Sequence, residues 1–362
     1  MTMENSSSHR IAHFDLLKGI AIFLVVMGHV LTMCVRDIDA AFLFKLIGQV
    51  HMPVFFFISG YFTYKAVYAS PDLKKRFLQL IVPFFTVSAL WVLYFPHSGL
   101  KSPLSDNLPD LYRAYWKDGY WFGLCLMEII AVYALISPVL RRCRKTAASV
   151  TVGAVAYSAL LVAAHFFSHP EENTDYLSLG LTARFFPIFM AGVLCHKHKD
   201  AFNRLWRNQW AITISMIVFA ATFYCTVYPW DVAWLPEWSG IVVVPLMHMA
   251  LMVIAFAAIH PWAQSEFASQ KKPSAAARWF NHLGKESLGI YMCHFFFLFP
   301  LTALQEPMRA MGLGFTPLFV VAAFTAFAII AVVLVVIHIL KQSAVLNLLI
   351  LGGGLPSRRK ME

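Results

Sequence analysis

The sequence predicts an all-α, polytopic integral membrane protein of about ten transmembrane helices, with both termini in the cytoplasm. Three observations carry that expectation. Hydrophobic residues make up 59% of the 362 and charged residues only 13%, about half the ~25% of an ordinary soluble domain. The apolar residues fall in runs of about twenty, the length that crosses ~30 Å of hydrocarbon at ~1.5 Å per helical residue. The basic residues between those runs alternate in number from one loop to the next, as the positive-inside rule requires.

Taken in order, the apolar runs bounded by charge or turn residues lie at 16–35, 42–64, 77–96, 120–140, 147–167, 177–195, 210–228, 239–260, 284–304 and 315–340. The first begins at Leu16 without a small-residue cleavage site behind it, so it is expected to stay in the mature protein rather than act as a signal peptide. The second, "QVHMPVFFFISGYF", holds Pro53 and the Ser59-Gly60 pair, both able to loosen a membrane helix. With the N-terminus inside, the inner segments hold Arg10, Lys65, Lys74, Lys75, Arg76, Arg141, Arg142, Arg144, Lys145, Lys197, Lys199, Arg204, Arg207, Lys271, Lys272, Arg278, Lys341, Arg358, Arg359 and Lys360. The outer loops hold only Arg36, Lys101, Arg113, Lys117 and Arg309. Ten spans and this orientation support each other, since the loss of one span would scramble the alternation.

The chain is therefore read as one integral membrane domain, 1–362, ending in a short basic cytoplasmic tail at 341–362. No length is left for a separate soluble domain. The "GGG" at 352–354 lacks the Lys-Ser/Thr of a phosphate loop and is expected to be flexible. The net charge of +10 sits in short loops, where topology accounts for it, so nucleic acid is not an expected partner. The six cysteines are scattered with no CxxC or other metal spacing, so no metal is expected.

Inside the spans the rare ionisable residues gather at one depth: His29, His51, Glu128, Arg184, His248 and His294. Singly, a buried histidine can satisfy a neighbouring carbonyl and hold helices together. Six in one layer are too costly for hydrocarbon and point to a polar chamber near the midplane. Lys18 and His29 are eleven residues apart, three helical turns and about 20°, so they share one face of the first helix about 16 Å apart. The basic cluster of Lys74, Lys75 and Arg76 serves topology, or holds an anionic ligand entering from the cytoplasm.

Five segments in order, "FDLLKGIAIFLVVMGH", "HMPVFFFISGYF", "YWFGLCLMEI", "RFFPIFMAGVL" and "LGKESLGIYMCHFFF", resemble the membrane-bound acyltransferase family 3 over nearly the whole chain. Its first-helix signature is an arginine and a histidine separated by ten residues. Here Lys18 stands in place of the arginine, and the family's paired arginines at the start of helix 3 become Arg76 with Gln79. Lysine keeps the charge but not the bidentate fork. The resemblance implies an enzyme of the bacterial cytoplasmic membrane that moves an acyl group, often acetyl, from cytoplasmic acyl-coenzyme A to a sugar hydroxyl of an extracytoplasmic glycan or its lipid-linked precursor.

On that resemblance His29 is the catalytic histidine, and as a neutral imidazole it suits general-base work. Glu128 or His51 orients it. A covalent acyl-imidazole stays open as an alternative to direct transfer. Lys18, Arg76 and Lys75 are assigned to the phosphates of acyl-CoA, and Arg184, Tyr291, His294 and Trp121 to the acceptor. Trp116, Tyr120 and Trp121 serve either a sugar or the interfacial aromatic belt. A transporter, proton-coupled channel or flippase would also place ionisable groups near the midplane, although no convincing repeat relates the two halves of the chain.

Overall fold

The computed structural model describes residues 2–35, 42–66, 70–95, 112–143, 145–232, 234–267, 272–311 and 315–353. Arg36, Lys101, Arg144, Lys271, Arg358, Arg359 and Lys360 of the charge pattern, and residues 96–111 of the loop before the fourth span, lie outside them. The described chain forms α1 (Thr2–Cys34), α2 (Phe42–Ala66), α3 (Ser70–Tyr94), α4 (Trp121–Arg142), α5 (Thr146–Phe167), α6 (Leu179–Lys197), α7 (Lys199–Leu205), α8 (Gln209–Val227), α9 (Gly240–Phe267), α10 (Ala275–Cys293), α11 (Thr302–Ala310), α12 (Phe315–Leu340) and α13 (Ala344–Leu351).

Among the described residues nine of these are long and apolar enough to cross a membrane, and one bent pair, 275–297 with 302–308, passes the same test taken together, as a broken span or a re-entrant loop does. The ninth predicted span, 284–304, is displaced: α10 starts at Ala275, with the Ser274 hydroxyl accepting from Ala277 N at 3.2 Å, and stops at Cys293. A 3₁₀ turn, His294–Phe297, follows, and α11 leaves at 77° to α10. The sequence explains both ends. Asn281, His282, Lys285, Glu286 and Ser287 interrupt the apolar pattern of α10. Beyond it, Pro300 removes a donor and disfavours helix at Phe299, so the apolar run cannot continue as one helix.

Helices packed in lipid gain little from burying apolar surface against each other and depend on close backbone approach. Two crossings here have that character. Gly19 of α1 lies against the Phe280 carbonyl of α10 while Gly284 of α10 lies against the Asp15 carbonyl of α1; Gly60 of α2 and Gly192 of α6 meet the Phe189 and Phe57 carbonyls in the same reciprocal way. A Cβ at any of the four would overlap a backbone atom. These crossings make α1–α10 and α2–α6 the two tight pairs around which the rest assembles.

The face at which α1 begins is called the basic face. There Lys197, at the end of α6, donates to the Leu140 and Cys143 carbonyls (3.2 and 2.7 Å), satisfying the open end of α4. Of the expected tail, the part up to residue 353 is folded back, with α13 packed on α3, Leu351 buried and Gly352 against Gln79, while 354–362 lie outside the described residues. The opposite face carries a small cap with no signal in the sequence. Ser168–His169 pairs antiparallel with Thr174–Asp175, and Ala114 bridges to Thr174.

Gly284→Leu is expected to push α1 and α10 apart at a cost of about 1–3 kcal/mol, seen as loss of the monodisperse peak in fluorescence-detected size-exclusion chromatography. Gly48→Ala, at a position open to space, should leave the peak unchanged.

Candidate active site

The stripe of α1 that bears Lys18 forms one wall of a cavity of about 220 Å³. Lys18, Ile22 and Val25 line it, at the i, i+4, i+7 spacing of one helix face. His29 is the next position on that stripe, one turn beyond Val25. The other walls come from α2, α3, α4 and α10, including Ser59, Arg76, Phe122 and Tyr291. Lys18 and Arg76 thus meet in one cavity. Lys75 is exposed and is not among the residues lining it. The Lys18 ammonium pairs with Asp15 at 2.7 Å, which holds it on the cavity side of α1.

Tyr291 and Phe122 also line the cavity. The Tyr291 hydroxyl donates to the Gly119 carbonyl at 2.5 Å and accepts from Phe122 N at 3.2 Å, one of the donors left open in the first turn of α4. Tyr291 therefore ties α10 to the start of α4, and its hydroxyl is committed to that contact.

Above this point lie the histidines. The His29 ring centre is 5.2 Å from that of His294 and 4.5 Å from that of Phe295, and His51 and His294 are its electrostatic neighbours. His294 Nδ1 sits 3.0 and 2.9 Å from the Ile290 and Tyr291 carbonyls, and His51 Nδ1 sits 2.6 Å from the Ile47 carbonyl. A carbonyl only accepts, so in both rings Nδ1 carries the hydrogen and Nε2 keeps its lone pair. His294 Nε2 is buried and has no partner among the described residues.

The rest of the expected layer divides into two further groups. Glu128 is not beside His29: its Oε2 accepts from Thr182 at 2.7 Å, its Oε1 is buried without a partner among the described residues, and its charged neighbours are Lys117 and Asp175. Arg184 donates to Gln49 Oε1 at 3.3 Å, and its guanidinium stands 6.0 Å from the Phe185 ring centre. His248 stacks on Phe185 at 5.7 Å. Trp121 stacks on Phe185 and Phe56 at 5.3 and 6.1 Å and is buried. Its ring faces are taken up by these two neighbours.

One residue of this region has no local signal in the sequence. Lys117, counted as an outer-loop cation, is fully buried, has φ +43, and donates to the Ala114 and Asp175 carbonyls at 3.0 and 2.7 Å. Burial lowers its pKa, and the Asp175 carboxylate beside it partly restores it. Burial also raises the carboxyl of Asp175, which caps α6 by accepting from Gly180 N and Leu181 N. Among the described residues no group of three or more His, Cys, Asp or Glu is gathered as a metal site needs.

A family described as an acyltransferase domain matches residues 11–337. Two curated relatives are nodulation proteins NolL. That of Mesorhizobium japonicum is 28% identical over 232 residues, 60% of this chain and 56% of the relative. That of Sinorhizobium fredii is 32% identical over 146 residues, 36% of this chain and 39% of the relative. The matches thus span about half or less of those relatives. No solved structure matches the chain.

Because the folded chain holds the Lys117 pKa below its unfolded value of about 10.4, the unfolded state binds more protons in the alkaline window beneath that value, and stability rises with pH there. Wild-type protein should gain thermal stability relative to Lys117→Met as pH is raised towards 10, measured by differential scanning fluorimetry in detergent. A pH-independent difference would contradict the buried, desolvated ammonium.

Proposed function

The chain belongs to this acyltransferase family, and from that premise we propose that it moves an acyl group, acetyl in the first instance, from acyl-CoA at the basic face to a hydroxyl of a glycan or lipid-linked sugar reaching it from the opposite side. The observation that carries the proposal is the cavity that opens at Lys18 and Arg76 and stops one turn, about 6 Å, below His29 on the same stripe of α1. A long anionic donor suits such a shape. Its phosphates would pair with Lys18 and Arg76, and its pantetheine arm would carry the thioester past Val25 and Met52 towards the histidines. Lys75, off the wall, contributes only to the field at the mouth.

The bias in loop charge supports a cytoplasmic basic face, where acyl-CoA is found, and is consistent with a protein of the bacterial cytoplasmic membrane. His29 acts as general base. It takes the proton of the acceptor hydroxyl as that oxygen bonds to the thioester carbonyl carbon; the C–S bond breaks, and the imidazolium returns the proton to the leaving thiolate. Direct transfer needs no acyl-enzyme, and the protein supplies position and a proton site. His51 stands ready to orient His29. Glu128, held by Thr182, acts at a distance through the packing of α4 on α6. Arg184, held by Gln49, offers an anionic part of the acceptor its cationic partner, with His248 beside it.

Incubation of purified protein with radiolabelled acetyl-CoA and total membrane glycolipid tests the proposal. His29→Ala should lose about 10²–10⁴-fold in acyl transfer while accumulating normally in the membrane; undiminished transfer would overturn the assignment. Lys18→Ala should raise the KM for the donor about tenfold or more, the worth of a hydrogen bond to a charged group, with kcat little changed. Lys18→Arg should keep or improve donor binding. Wild-type KM in Lys18→Ala would make Lys18 a topological anchor only.

A further inference from the structure

His294 is the residue whose chemistry the acceptor-binding assignment leaves unused. It stands where α10 breaks, at the first position of the 3₁₀ turn, completely buried. The Ile290 and Tyr291 carbonyls hold its Nδ1 hydrogen, which fixes the ring and leaves Nε2 as a pure acceptor. That atom is buried and has no partner among the described residues. Buried acceptors are ordinarily satisfied, and an orphan asks for a partner that arrives in another state. The group next to it that can donate is His29, whose ring centre is 5.2 Å away at an interplanar angle of 37°. A turn of the His29 side chain brings a ring nitrogen within hydrogen-bond distance.

We propose that His294 is a positioning residue for His29: in the reacting complex His294 Nε2 accepts the N–H of His29, fixing the tautomer whose other nitrogen faces the acceptor hydroxyl. When that nitrogen takes the hydroxyl proton, the His29 imidazolium keeps its hydrogen bond to His294, so the developing charge meets a fixed lone pair. The geometry follows the general logic of a base oriented by a third group, with a histidine anchored on two carbonyls in the place a carboxylate often fills. Phe295, in contact with both rings at 4.5 and 4.2 Å, closes the pair against water. His51, its Nδ1 likewise tied to a carbonyl, is the other titratable neighbour of His29. This inference rests on the proposed acyl transfer.

Two substitutions separate positioning from packing. In His294→Asn the amide nitrogen overlays Nδ1 and keeps the bonds to the Ile290 and Tyr291 carbonyls but removes the Nε2 acceptor. In His294→Gln an acceptor oxygen returns near the Nε2 position. The expected result is a fall of at least 100-fold in kcat for His294→Asn, with the acetyl-CoA KM within twofold of wild type, and partial recovery in His294→Gln. Full activity in His294→Asn would overturn the proposal and leave His294 a structural residue. A second measurement needs no turnover: in protein labelled with ¹⁵N-histidine and saturated with coenzyme A and membrane glycolipid, His294→Asn should alter the tautomer balance of the His29 ring, and an unchanged His29 spectrum would equally overturn it. If wild-type protein transfers no acyl group, the proposed reaction fails while the ¹⁵N result still decides the histidine pair.

Discussion

Close backbone contact between α1 and α10 is the constraint on which the site depends. In lipid, apolar side chains have little reason to prefer each other over hydrocarbon tails, so helices are held where their backbones touch. Gly19 and Gly284 allow that contact reciprocally, each against a carbonyl of the other helix. Once α10 is pressed against α1 in this register, its polar interruption and its early end acquire meaning. Tyr291 reaches the cavity lined by Lys18, and the break after Cys293 delivers His294 to the ring of His29. The same sequence in a helix shifted by one turn would place neither.

Low dielectric also explains why the ionisable residues do not form one open chamber. Each needs partners nearby, since an unsatisfied charge or donor is expensive where water is absent. They divide accordingly. Glu128 is anchored by Thr182 in the field of Lys117, while Arg184 turns to Gln49 and Phe185. The histidine group differs, because its Nδ1 atoms are held by carbonyls while the Nε2 of His294 has no partner among the described residues. Basic nitrogen held rigid one helical turn beyond a cavity wall suits a proton-transfer step.

Much of the fold was legible in the sequence because the bilayer imposes a simple rule on it. A length of about twenty apolar residues and a bias in loop charge leave few topologies, and the spans other than the ninth lie close to their expected places. The ninth was misplaced because hydropathy sees the apolar run from Gly289 to Leu304 and is blind to the backbone limits set by Pro300. The cap on the opposite face was invisible for a related reason: two-residue strands are too short to show a period, and Lys117 is buried by its contact with Asp175, 58 residues away.

For the site, the sequence alone determined the helical stripe that joins Lys18 to His29, because both lie on one helix and the angle between them follows from ~100° per residue. It also determined the kinship, carried by ordered motifs. Which residues from other helices join that stripe was decided only by tertiary structure. Arg76, Tyr291 and His294 came to it; Lys75, Glu128 and Trp121 did not. Spacing along a helix is set by local geometry, whereas proximity between helices is set by where glycines let backbones meet, and no periodicity in one segment encodes the position of its neighbour.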